Sequence, residues 1–197
     1  MKTNIWNPYE RIAGTKALLW GLGLTFIACY FGYLGKIHFD GIMDIHIGKS
    51  HPYIIYVSEA LINLVSISLF LYLASLILSK SKIRLIDIVG TQAFSRIPLI
   101  LPAIFGAIFP LEQASAYFLY KYANMGSPVN ISTFEIVGFI FFLFSNFLAI
   151  IWMIIWMYQA YKVSSNLSGT KAVTSFIISI LLAEILSKLS IYFIIKP

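Results

Sequence analysis

The sequence predicts an all-α fold: a polytopic membrane bundle of five transmembrane helices, the third of them broken by proline. Three observations carry that prediction. Of 197 residues, 59% are hydrophobic and only 11% are charged, whereas a soluble domain carries about 25% charged and roughly 45–50% apolar residues. The apolar residues gather into five runs, each long enough to cross a hydrocarbon core of about 30 Å at about 1.5 Å per residue. The third run, Asp87 to Pro110, holds Arg96 together with Pro98, Pro102 and Pro110. Proline removes a backbone donor and clashes with the preceding turn, and in lipid the freed carbonyls must find partners in neighbouring protein. The broken run is therefore expected at the centre, with the other spans around it.

In chain order, residues 1–14 mix Ile5, Trp6, Tyr9 and Ile12 with Asn4, Glu10 and Arg11. Trp and Tyr favour the headgroup region, so this stretch is expected either to lie on the membrane surface or to be an ordinary polar tail. The chain then reads as one membrane domain with spans at about 15–35, 53–79, 91–110, 133–158 and 170–195. The first span lacks a small-residue cleavage site and reads as retained. Between the spans lie a polar loop from Lys36 to Pro52, a basic loop Lys80-Ser-Lys82-Ile-Arg84, a long connection over 111–132, and a polar loop from Gln159 to Gly169. Gly126, Pro128 and Asn130 mark turns in the long connection.

Five spans place the termini on opposite sides. One side carries eight Lys and Arg residues and the other four. The positive-inside bias then puts the N-terminus in the cytoplasm and the C-terminus outside. A short repeat fits that arrangement: Gly14-Thr15-Lys16-Ala17, Gly90-Thr91-Gln92-Ala93 and Gly169-Thr170-Lys171-Ala172, separated by 76 and 79 residues. Each copy is expected to open a helix, with glycine ending the incoming segment and threonine capping exposed amides.

The net charge of +6 is spread over short loops and forms no basic face, which excludes a nucleic-acid partner and suits anionic lipid headgroups. The single cysteine, Cys29, excludes an internal disulfide framework and reads as a plain buried thiol. No Walker loop, histidine–glutamate zinc-protease motif or G-x-S-x-G elbow is present, so no enzyme is expected.

Asp87-Ile-Val-Gly90-Thr91, followed by Phe94-Ser-Arg96-Ile-Pro98, resembles the core signature of the Yip family, the Rab-interacting membrane proteins. It looks closest to their short bacterial members, as does the loop segment Phe39-Asp40-Gly41-Ile-Met-Asp44-Ile-His46. The resemblance implies a bacterial inner-membrane protein of non-enzymatic, scaffold or interaction type. Its partners would be the bilayer and a second membrane protein or another copy of the chain. In eukaryotes the family is tied to vesicle traffic and Rab-type GTPases. This sequence departs there, with only residues 1–14 ahead of the first span, and a GTPase partner is not carried over.

Two constellations could carry chemistry. The first loop holds all three histidines, His38, His46 and His51, with Asp40 and Asp44 among them. Imidazole and carboxylate suit Zn or another divalent ion, so His38, Asp40, Asp44 and His46 form a candidate metal site; a solvated turn at Asp40-Gly41 is the plain reading. Within the spans, Glu59 and Asn63 are four apart, as are Glu184 and Lys188, and Asn146 sits in the fourth span. These five residues are expected to form a buried polar network. That network serves either as a structural ion pair or as the charged layer of a small transporter or channel. Arg96, shallow if its helix opens at Thr91, is expected to snorkel to the cytoplasmic surface or to cap carbonyls freed by Pro98 and Pro102.

Overall fold

The computed structural model describes residues 7–195. Five helical segments are long and apolar enough to cross a bilayer: Gly14–Gly35, Tyr53–Leu78, Leu85–Ile108, Thr133–Ser165 and Gly169–Ile194. The chain is an integral, multi-pass membrane protein built as an α-helical bundle. Helix α1 is Gly14–Gly35 and α2 is Tyr53–Leu78. The third span divides into α3, Leu85–Ser95, a single 3-10 turn at Ile97–Leu99, and α4, Ile100–Ile108. Helix α5 is Leu111–Ala123, α6 is Thr133–Ser165 and α7 is Gly169–Ile194.

The broken span sits at the centre. Its apolar window is 67% buried, against 28–39% for the other four spans. Helix α1 packs along α3 and α4, α6 packs on the same pair, and α2 pairs mainly with α7. The break falls at Pro98. With no N–H there, the α-ladder stops; Arg96 N bonds Ala93 O at 3.2 Å and Leu99 N bonds Arg96 O at 3.0 Å. Pro102 falls in the first turn of α4, where a missing donor is tolerated. Outward-facing Ile140, Phe144, Phe147, Ile177 and Leu181 form an apolar belt suited to lipid.

Several boundaries depart from the sequence reading. The third span opens at Leu85, six residues before Thr91, because Arg84 and Asp87 form a bidentate pair at 2.7 and 2.8 Å that holds the first turn. Gly90 is therefore inside α3 and opens no helix; a Cβ there would press on the Gly14 carbonyl of α1. Thr91 caps nothing: its hydroxyl bonds Asp87 O at 2.7 Å and Ser164 at 3.1 Å. Gly14 and Gly169 do begin helices, both with positive φ, but neither helix has a side-chain cap. The long connection contains α5, which packs on α6 through Phe118 and Phe139 at 5.1 Å. The polar stretch after Tyr158 stays helical to Ser165.

The N-terminal stretch is not a surface-lying segment in its described part. Tyr9 is buried, with its hydroxyl 2.7 Å from Ser95 and its ring edge-on to Phe94 and Trp156. Ile5 and Trp6 lie outside the described residues. Burial raises the Tyr9 phenol pKa above its ordinary value, and the Ser95 hydrogen bond opposes only part of that rise.

Candidate functional site

The loop between α1 and α2 begins where Lys36 takes a left-handed conformation, φ 55°, and turns the chain back over the bundle. Two short strands follow, β1 at Ile37–His38 and β2 at His46–Ile47, paired antiparallel. The sequence reads as a polar outer loop, yet Ile37, His38, Phe39 and Ile42 are each at most 2% exposed. The segment between the strands dips into the end of the bundle. Its backbone amides and carbonyls then need partners, since water is scarce there.

The intramembrane polar side chains supply those partners. Glu59 of α2 takes His38 Nδ1 at 2.9 Å and the Phe39 amide at 3.3 Å. Asn63, one turn further along α2, donates to Phe39 O at 2.5 Å. Glu184 of α7 accepts the Ile42 and Met43 amides at 2.6 and 3.2 Å. Asn146 of α6 donates to Ile45 O at 3.3 Å. The loop site and the buried network, separate in the sequence, are thus one structure. Gly41 fits because a Cβ there would collide with Glu184 and Asp44.

Two predicted members occupy other roles. Lys188 is half exposed, 49%, and donates to Asp44 at 2.7 Å as well as pairing with Glu184 at 3.3 Å. It is a rim residue, paired with Asp44 and Glu184. His38 is no part of the metal-type cluster. Its Nδ1 faces Glu59 and its Nε2 faces Lys49 O at 2.8 Å, so both nitrogens meet acceptors. The ring stacks on Tyr56 at 4.4 Å and lies 5.3 Å from His51. The residues brought together are Asp40, Asp44 and His46, whose ligand atoms all lie within 4.8 Å of one another. Asp40 and Asp44 face an open cleft of about 360 Å³, also lined by Lys188 and Tyr192.

Arg96 does not snorkel. Measured from Leu85, it lies roughly 16 Å into the helix, near mid-membrane, and is 3% exposed. Its Nε and Nη2 find no hydrogen-bond partner among the described residues. Beside it, between Thr25, Cys29 and Ala60, is a cavity of about 10 Å³, the size of one water. Of the other signature residues, Asp87 pairs with Arg84, Gly90 meets α1, Thr91 meets α6 and Pro98 breaks the span.

Sequence reasoning missed Phe39 and Ile42 as anchors. The signal was present: Ile37, Phe39, Ile42 and Ile45 recur through the polar loop. No family model matches this chain, and neither a curated protein nor a solved structure matches it.

Proposed function

We propose that this membrane protein is a non-enzymatic scaffold or interaction protein, as the resemblance to the Yip family implies, with the 36–52 loop as its outer recognition element. One observation carries the reading. Glu59, Asn63, Asn146 and Glu184 all bond the backbone or the buried histidine of that loop. A transporter using Glu59 and Glu184 would have to exchange these bonds for its cargo in each cycle, leaving buried amides unpaired at a cost of about 1–3 kcal/mol apiece. A loop fixed from three helices instead offers a rigid surface to a second membrane protein or another copy of the chain. The eight-to-four excess of basic residues favours an N-terminus in the cytoplasm and the loop outside, and the resemblance implies a bacterial inner membrane.

Flux in proteoliposomes is the test. Sodium, potassium and proton uptake should equal that of empty vesicles, and crosslinking in native membranes should return one stable membrane-protein partner or a homo-oligomer. Ion uptake that Glu184→Gln abolishes would replace the scaffold reading with the transporter.

A further inference from the structure

We infer that Asp40, Asp44 and His46 form a binding site for one divalent first-row metal ion, of which zinc is the natural probe. The inference is independent of the scaffold reading. His46 Nδ1 lies 3.1 Å from Asp40 Oδ1 and 3.8 Å from Asp44 Oδ1. An ion with bonds of about 2.0 Å in tetrahedral geometry sets its ligand atoms about 3.3 Å apart. Small rotations of His46 and Asp44, 43% and 38% exposed, close the difference. Two carboxylate oxygens and one imidazole nitrogen, with no thiolate, suit zinc or manganese. Asp40 and Asp44 also line the cleft of about 360 Å³, which leaves room for a further ligand.

Two further features favour an ion here. The first is charge. Asp40, Asp44 and Glu184 carry three negative charges against one on Lys188, a local balance of −2 that a divalent ion neutralises. The second is the division of labour on Asp44. Lys188 holds Oδ2 at 2.7 Å, while Oδ1 is the oxygen turned to His46. The ammonium can keep its hydrogen bond and orient the carboxylate while the other oxygen ligates. Beneath them, Glu184 fixes the Ile42 and Met43 amides, so the turn carrying both aspartates is set before any ion arrives.

The full chain, purified in detergent and stripped with chelator, is titrated calorimetrically with zinc sulfate. Wild type should take up one ion per chain and melt at a higher temperature with zinc. His46→Ala should bind at least about 100-fold more weakly, since loss of a mere orienting partner already costs 10–100-fold. His51→Ala should bind as wild type does. Melting without metal checks that each variant is folded. If His46→Ala fails that check, the visible spectrum of the Co²⁺-loaded wild type decides: four-coordinate bands support the site, and six-coordinate aqueous-type bands overturn it. The inference is also overturned if wild type takes up no zinc, if folded His46→Ala binds equally well, or if His51→Ala loses as much as His46→Ala.

Discussion

Removing the Glu184 carboxylate should unpin the loop without unfolding the bundle. Glu184→Ala leaves the Ile42 and Met43 amides without their acceptor. An orphaned buried donor costs about 1–3 kcal/mol. Ile42 is 1% exposed, so its amide belongs near the top of that range, and the half-buried Met43 amide near the bottom. Together the loss is about 4 kcal/mol. Lys188 adds little, because it is half exposed and keeps Asp44. Both amides meet the same oxygen, Oε2, so Glu184→Gln can keep both bonds through its carbonyl and should cost clearly less than Glu184→Ala. Native-state hydrogen exchange in detergent reads this directly: at about 1.4 kcal/mol per decade, the amides of residues 42 and 43 should exchange about 10³-fold faster in Glu184→Ala. Amides in the middle of α3 should change far less, since openings are local. Equal protection of residues 42 and 43 in wild type and Glu184→Ala would refute the argument, as would a penalty for Glu184→Gln as large as for Glu184→Ala.

Three other outcomes follow from the same contacts. Arg96→Met removes a buried guanidinium whose Nε and Nη2 lack protein partners, and should leave stability unchanged or raise it by about 1–4 kcal/mol in a detergent unfolding titration; a loss of several kcal/mol would reveal a partner for the cation. The raised Tyr9 pKa means the unfolded chain ionises first, so its stabilising share is full below the ordinary phenol value of about 10 and is lost as pH rises beyond it. Tyr9→Phe should therefore melt with a flatter profile from pH 9 to 11, while losing about 0.5–1.5 kcal/mol at neutral pH with the Ser95 bond; an unchanged slope counts against the buried phenol. In a Cys29→Ser background, a cysteine at Ser81 should resist impermeant thiol reagent in sealed cells, and labelling there would invert the topology.

The spans and their centre were legible because both signals are local. Apolar runs fix the helices, and Pro98 fixes the break whatever packs around it. Boundaries failed where a local signal was read at the wrong level. Gly90 and Thr91 look like a helix start, but the Arg84–Asp87 pair starts α3 earlier, and that shift moved Arg96 from a shallow position to mid-membrane. Helix α5 was hidden by the turn residues that follow it at Gly126 and Pro128. At the site, each polar residue stood out because it interrupts an apolar run. What joined them did not. Phe39 and Asn63 are 24 residues apart, and Ile42 and Glu184 are 142 apart, separations on which no periodicity bears.

These long separations also explain why so many polar groups are retained inside an apolar bundle. Helix α7 packs chiefly on α2 and touches α6 only lightly, so beyond the packing of α2 on α1 and α3 the α2–α7 pair has few direct contacts with the rest of the bundle. The 36–52 loop crosses that seam. It is bonded to α2 through Glu59 and Asn63, to α7 through Glu184, and to α6 through Asn146. Lipid tails are as apolar as leucine, so helix association in a bilayer gains little from burial and depends on packing and interhelical hydrogen bonds. A loop whose backbone must find partners turns that need into cohesion, since each satisfied amide also ties one helix to another. Intramembrane carboxylates are commonly read as marks of a conduction path. Here Glu59 and Glu184 bond a loop, and the loop in turn joins the helices.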